Sequence, residues 1–285
     1  VVRFGLVAIG ALCWRGGTDI WGSGTATIHG LSLVLMLVDY LVGFVLMGLA
    51  VAGRVSVRTH WVGFAALLVV LATMVQIHVI RELENGVVFT TDARMYMDYA
   101  ARLLEAGRNP YDHDLAAAYR ANQAPFFFAT PLTDGGLTGR MAYPALSALV
   151  FVPFHVLGIG DQWVYPLFML LSLGVIYFRT RVELRTLVLL PLFLDPNHIN
   201  YGLGGVTDWV WAFFLCMAIV RWDKPKDRAI WYGLACAFKH QPWVLAPFLL
   251  IRVWREADGD RAAQLRAARD FVGITVLTFA VINLP

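Results

Sequence analysis

Four groups of residues in this chain have the types and spacing to do chemistry. Asp92 opens the stretch TTDARMYMDYAARLLEAGRNPYD, with Tyr96 one helical turn on and Tyr111 just past its end. Arg140 and Tyr143 stand where a long polar loop gives way to apolar sequence. Asp195, His198, Asn200 and Asp208 interrupt an apolar region whose backbone is rich in glycine. Lys239 and His240 lie between two short apolar arms, 230–238 and 243–251. A carboxylate at a helix start either caps the helix or points away to act as a base. A lysine at a hairpin apex is a compact charge suited to a phosphate, unless it only snorkels to the interface. Polar, irregular backbone at membrane depth is tolerated where it is buried or lines a cavity. His198, Asn200 and Asp208 are therefore candidates for lining a site, and a structural turn is the alternative.

The element that must position Asp92 is a helix predicted over 93–106. Thr90, Thr91 and Asp92 supply capping side chains. Met95, Tyr99, Leu103 and Ala106 recur at helical spacing, while Arg94, Asp98, Arg102 and Glu105 fall largely on the other side. Gly107 is placed to end the helix, and Asn109-Pro110 cannot continue it. The pattern is that of an amphipathic helix suited to lying along a bilayer surface.

Asp92, Tyr96, Ala100, Ala101, Leu104, Gly107, Asn109, Pro110 and Tyr111 stand in an order that resembles the first-loop motif of glycosyltransferase family 87. These are membrane enzymes of the GT-C type that use polyprenyl-phosphate sugars, typically the mannose donor. Tyr143-Pro144-Ala145-Leu146 resembles the family's Tyr-Pro-Pro-Leu piece, with Ala145 in place of the second proline. Gly233-Leu234-Ala235, Lys239 and Pro242 resemble a later segment. The likeness runs from about residue 88 onward. It departs at 204–208, where the family often has a Gly-Gln pair and this chain reads Gly-Gly-Val-Thr-Asp.

Composition agrees with a multi-pass membrane protein. Of 285 residues, 59% are hydrophobic and only 15% charged, against about a quarter charged in soluble domains. A net charge of +3 is too small to suggest nucleic-acid binding. Cys13, Cys216 and Cys236 sit in or beside apolar runs without metal-like spacing. Segments 31–52 and 61–80 are long enough to span, and 31–52 carries Asp39, costly inside a bilayer. Arg54 and Arg58 between them mark a cytoplasmic loop, which sends 81–141 to the far side as a long extracytoplasmic loop. The runs at 145–157 and 162–178 are followed by Arg179, Arg181 and Arg185, so either one of the two dips and returns or the positive-inside rule fails here. Residues 262–270 read as a charged cytoplasmic helix and 271–284 as the start of another span. The expected architecture is an all-α, polytopic, GT-C-like bundle forming one membrane domain over 1–285. A start at Val1 and a stop inside an apolar segment suggest a piece of a longer protein.

The resemblance implies an inverting transfer of a sugar, mannose in the family, from a polyprenyl phosphate to a glycan or glycolipid acceptor. Asp92 would be the general base. Lys239 and His240, with Arg140, would meet the leaving phosphate. Tyr96, Tyr111 and Tyr143 would stack on sugar or seat the isoprenoid. No cofactor is expected. Asp92 with Asp195 or Asp208 could hold a divalent ion if the fold brings them together. The competing class is a multi-pass transporter of a small polar or lipid-linked substrate, for which broken helices are also a signature. It calls for internal repeats, and the Asp92 loop has no second copy.

Overall fold

The computed structural model describes residues 2–22, 30–53, 56, 58, 61–66, 68–69, 71–73, 92–121, 130–136, 138–189, 205–257 and 259–284. Among them every regular element is helical, so the all-α class holds. The helices are α1 (Val2–Gly22), α2 (Gly30–Val51), α3 (Asp92–Glu105), α4 (Ala117–Ala121), α5 (Leu146–Leu149), α6 (Val152–Val156), α7 (Val164–Arg179), α8 (Asp208–Val220), α9 (Pro225–Phe238), α10 (Ala246–Glu256) and α11 (Arg261–Asn283). Further helical residues lie at 61–66 and 71–73. Within α2, Ser32–Val51 is the one stretch among the described residues long and apolar enough to cross a membrane.

Contacts divide the chain into two compact units, Val1–Val88 with Leu173–Gly204, and Phe89–Ser172 with Gly205–Pro285. In the first, α1 packs along α2. Gly10 and Gly43 let their backbones approach, since a Cβ on Gly43 would lie 2.8 Å from the carbonyl of Gly10. Asp39 is fully buried in α2, and its Oδ2 accepts a bond from the Thr73 hydroxyl at 2.8 Å. That bond offsets part of the cost of a carboxylate at this depth.

The second unit holds the residues singled out above. Its core joins Met95, Tyr96, Met97, Ala100 and Ala101 of α3 to Phe151, Tyr165, Val210 and Phe238. Helix α3 starts one residue before and ends one residue before the expected bounds. It ends as expected: Gly107 is left-handed at φ +69°, and the amides of Gly107 and Arg108 bond the carbonyls of Leu104 and Leu103. This is the double bond that satisfies a helix's last carbonyls. The polar face is exposed at Arg102 and Glu105, and buried at Arg94 and Asp98, each 2% exposed.

The two arms around Lys239 form α9 and α10, joined by the turn at Lys239–His240 and a 3-10 segment, Gln241–Leu245. Both pack on α11. The charged helix read over 262–270 and the apolar run from 271 form one helix, α11, which is continuous from Arg261 to Asn283. Its far end is tied to the start of α5, where Asn283 Oδ1 accepts the Ala145 amide at 2.6 Å. The crossing of α9 with α11 depends on Gly233. A Cβ there would lie 2.7 Å from Thr278 Cβ and 2.9 Å from the Thr275 carbonyl. Gly233→Ala is therefore expected to destabilise by about 1–3 kcal/mol, the range for overpacking a tight contact, read as a lower Tm in detergent.

Candidate functional site

Asp92 occupies the first turn of α3, half-buried. Its carboxylate is held from outside its own helix. Oδ2 accepts the Thr130 amide at 3.1 Å and the Thr130 hydroxyl at 2.5 Å. Oδ1 has no partner among the described residues and keeps its lone pairs available. Thr130 is in turn held in a short loop, where its carbonyl accepts the Thr138 amide at 2.9 Å. The Thr138 carbonyl accepts the hydroxyl of buried Tyr96. Thr130 and Thr138 are thus laced to the helix that carries Asp92.

Three tyrosines sense the Asp92 charge. Burial, and after it contact with Tyr119 and the Asp92 carboxylate, push the Tyr96 phenol well above its usual range. Tyr119 is raised by burial and by Asp92. Tyr143 is raised by burial, then by both Asp92 and Asp208. All three are neutral hydrogen-bonding groups at ordinary pH.

Tyr143 is the link to the second half of the site. Its carbonyl accepts the Tyr111 hydroxyl at 2.8 Å, and its ring centroid lies 5.9 Å from Lys239 Nζ. Lys239 follows the last residue of α9 and is 9% exposed. Its ammonium donates to Asp208 Oδ1 at 3.0 Å, and Trp211 Nε1 donates to the same oxygen at 2.7 Å. Asp208 is the first residue of α8, where the helix N-terminus favours a carboxylate. Asp208 and Lys239 are thus joined beside Tyr143, and the Asp92 carboxylate lies near enough to act on the Tyr143 phenol.

Other expected residues go elsewhere. Arg140 is exposed and lines an open cavity of about 780 Å³ with Tyr111, Asp112, His113, Asp114, Leu132, Thr138 and Gly139. It stands in this polar cavity, not among the contacts of Lys239. His240 is exposed beside Lys239, and its carbonyl accepts the Trp243 amide at 3.1 Å. His198, Asn200 and Asp195 lie outside the described residues, as do Thr90 and Thr91.

A second polar group was missed. Asp98, 2% exposed, bonds Arg102 Nε at 2.9 Å and His155 Nε2 at 2.8 Å. His155 Nδ1 lies 2.7 Å from Glu105 Oε1. Arg94 Nε donates to Asp161 Oδ2 at 2.8 Å. The advance signal was the placing of Arg94, Asp98, Arg102 and Glu105 on one helix face. The histidine that joins Asp98 and Glu105 is 57 and 50 positions away from them.

No protein-family model, curated protein or solved structure matches the chain.

Proposed function

We propose that this chain is a membrane-embedded, multi-pass glycosyltransferase of the GT-C type, related to family 87. It moves a sugar, mannose on the resemblance, from a polyprenyl phosphate to a glycan or glycolipid on the extracytoplasmic side. The observation that carries the reading is the gathering of Asp92, Tyr143, Asp208 and Lys239. A nearly buried cation stands over the Tyr143 ring, and a carboxylate with a free oxygen is near enough for its charge to raise the same phenol. A transfer that expels a lipid phosphate needs this pairing of base and cation.

The steps are as follows. Asp92 takes the proton of an acceptor hydroxyl, and the oxygen attacks the anomeric carbon from the face opposite the phosphate. The bond from that carbon to the phosphate oxygen breaks, and its electron pair leaves with the polyprenyl phosphate. The anomeric configuration inverts. Lys239 exchanges Asp208 for the phosphate and neutralises the charge that develops on the leaving oxygen. Asp208 holds the ammonium in place while the site is empty.

The cavity lined by Tyr111, Asp112, Asp114 and Arg140 gives the acceptor its approach. The Tyr111 ring is 41% exposed and pinned by its hydroxyl to Tyr143. A fixed aromatic face beside carboxylates suits a sugar ring. Tyr111→Ala is expected to raise the acceptor KM about tenfold, about 1.4 kcal/mol, with the donor KM unchanged.

A bilayer setting is supported by the Ser32–Val51 span and by the surface of α10 and α11. Phe248, Ile251, Val276, Leu277 and Val281 are each more than 45% exposed, an apolar surface that lipid would cover. The test of the reading is a donor panel. The full-length protein in proteoliposomes receives labelled polyprenyl-phosphate mannose, labelled polyprenyl-phosphate glucose, or a labelled nucleotide sugar, with a mixed glycan acceptor. Label passing to the acceptor from a lipid-linked donor supports it. Label passing only from the nucleotide sugar refutes it.

A further inference from the structure

We propose that the cytoplasmic end of α9 and α10 carries a binding site for the phosphate headgroup of an anionic phospholipid, built on Trp222, Arg228 and Arg252. It rests on the bilayer setting proposed above and not on the transfer reaction.

The site begins in a basic turn. Residues 221–228, from the end of α8 into the first turn of α9, hold Arg221, Lys224, Lys226 and Arg228 against Asp223 and Asp227. Such a stretch beside membrane helices belongs on the cytoplasmic side. A guanidinium from α9 and another from α10 meet over the Trp222 indole. Arg228 Cζ lies 4.8 Å from the ring centroid and Arg252 Cζ 4.3 Å, both within reach of the ring's negative face. Arg228 is 8% exposed. Its Nη1 donates to the Trp222 carbonyl at 3.0 Å, while its Nε is buried with no hydrogen-bond partner among the described residues. Burial works against the Arg228 charge, Glu256 favours it, and Arg252 opposes it again.

Glu256 is the carboxylate bonded into this group among the described residues, and both its oxygens are taken. Oε2 accepts from Trp222 Nε1, and Oε1 accepts from Arg252 Nε at 2.8 Å. The Arg252 side chain is 51% exposed, and its two Nη groups have no partner among the described residues. Two like charges over one ring repel each other. An anion laid across them relieves that repulsion, and a guanidinium fork matches two phosphate oxygens.

The surface around the cations selects a lipid over a soluble phosphate. Phe248, Ile251, Arg252 and Arg255 stand at i, i+3, i+4 and i+7 of α10, so they share one face. All four are exposed, Phe248 at 67% and Ile251 at 56%. Along this face, about 10 Å by helical rise, uncovered apolar surface gives way to cations. A soluble anion would meet only the cations. A phospholipid covers both parts, its acyl chains on Phe248 and Ile251 and its phosphate on Arg252 and Arg255. Trp222 beside them is the residue type that sits at the boundary of chains and headgroups. Arg228 stands in the first turn of the helix that Lys239 caps, about 16 Å away by helical rise. This headgroup site is therefore separate from the one proposed for the donor phosphate.

The experiment uses full-length protein in nanodiscs of phosphatidylcholine, alone or with phosphatidylglycerol. Tm is recorded in each, and native mass spectrometry counts the lipid that stays bound on release from the disc. The parent is compared with Arg252→Gln and with Arg108→Gln, which removes an exposed cation elsewhere. Arg252 is exposed, so its variant should fold. The parent is expected to gain about 2–4 °C with phosphatidylglycerol and to retain it in preference to phosphatidylcholine. Arg252→Gln is expected to weaken that retention about tenfold, the lower end for a hydrogen bond to a charged group, and Arg108→Gln to match the parent. Equal retention by the parent and Arg252→Gln would overturn the site. An equal loss in Arg108→Gln would also overturn it and leave net charge as the cause. Inorganic phosphate that raised Tm as much in phosphatidylcholine discs would overturn the lipid and identify a soluble phosphate compound. A parent that stayed dissolved without detergent would overturn the bilayer setting and this site with it. No transfer from any donor, with phosphatidylglycerol still retained, would overturn the proposed reaction and leave this site standing.

Discussion

Asp92→Asn is expected to lower kcat for transfer by about 10²- to 10⁴-fold, the usual worth of a positioned general base. The substitution keeps the shape of the side chain, and the amide oxygen can still accept from Thr130 at the position of Oδ2. The fold should therefore survive, and Tm should stay close to the parent's. What is lost is an oxygen able to take a proton, since the free Oδ1 becomes an amide nitrogen or a weakly basic amide oxygen. Asp92→Glu tests position separately from charge. It retains a base but adds one methylene, and a misplacement near 1 Å can cost about 100-fold. Thr130→Val removes the hydroxyl bond and leaves the amide bond. Its effect should be much smaller than that of Asp92→Asn, because the carboxylate remains and only its orientation loosens. Single-turnover kinetics with bound donor separate these losses from changes in binding.

The second large effect falls on Lys239. Lys239→Met keeps the apolar stem and removes the ammonium that Asp208 holds at 3.0 Å. A hydrogen bond to a charged group is worth about 1.5–3 kcal/mol, which corresponds to about 10- to 150-fold in kcat/KM for the lipid-linked donor. Stability should fall less, because the partner left behind, Asp208, is 45% exposed in its side chain, keeps Trp211 and can be hydrated. Asp208→Asn makes the contrast. It frees the ammonium from its counter-ion, so the donor KM should hold steady or fall. A lysine that served only to anchor α8 to α9 would give the opposite pattern. Both substitutions would then lower Tm alike and leave the donor KM alone. Isothermal binding of a non-hydrolysable donor analogue reads the difference directly.

Local structure was legible in the sequence, and pairing across distance was not. The bounds of α3 followed from its periodicity, and its end followed from Gly107 with Asn109-Pro110. The apex at Lys239–His240 followed from two apolar arms around a polar break. The polar face of α3 was legible in its spacing and is exposed at Arg102 and Glu105. The burial of Arg94 and Asp98 on that face depends on partners supplied by Asp161 and His155, and nothing local announces them. The charged stretch 262–270 and the apolar run after it were both legible, and they are one helix, α11. The change from charged to apolar at residue 271 is a change of surroundings along one helix. No proline stands between Arg261 and Asn283 to end it, and Gly273 alone is too weak a breaker. At the site, Asp92, Tyr143, Asp208 and Lys239 were each recognisable by type and setting. That Asp208 is the counter-ion of Lys239, and that Arg140 belongs to the cavity beside Tyr111, depends on how the loop at 130–143 returns to α3.

The account rests on Asp92 acting as the base of a transfer that starts from a lipid-linked sugar. The most direct measurement places the parent and Asp92→Asn, full length and at matched density, in separate proteoliposomes with labelled polyprenyl-phosphate mannose in the outer leaflet. The label is then followed in the acceptor and in the protected inner leaflet. The account predicts labelled acceptor with inverted anomeric configuration and an equal yield of polyprenyl phosphate from the parent. It predicts neither product from Asp92→Asn, and no protein-dependent passage of label inward from either. Label moving to the inner leaflet with no labelled acceptor would contradict it and identify a transporter.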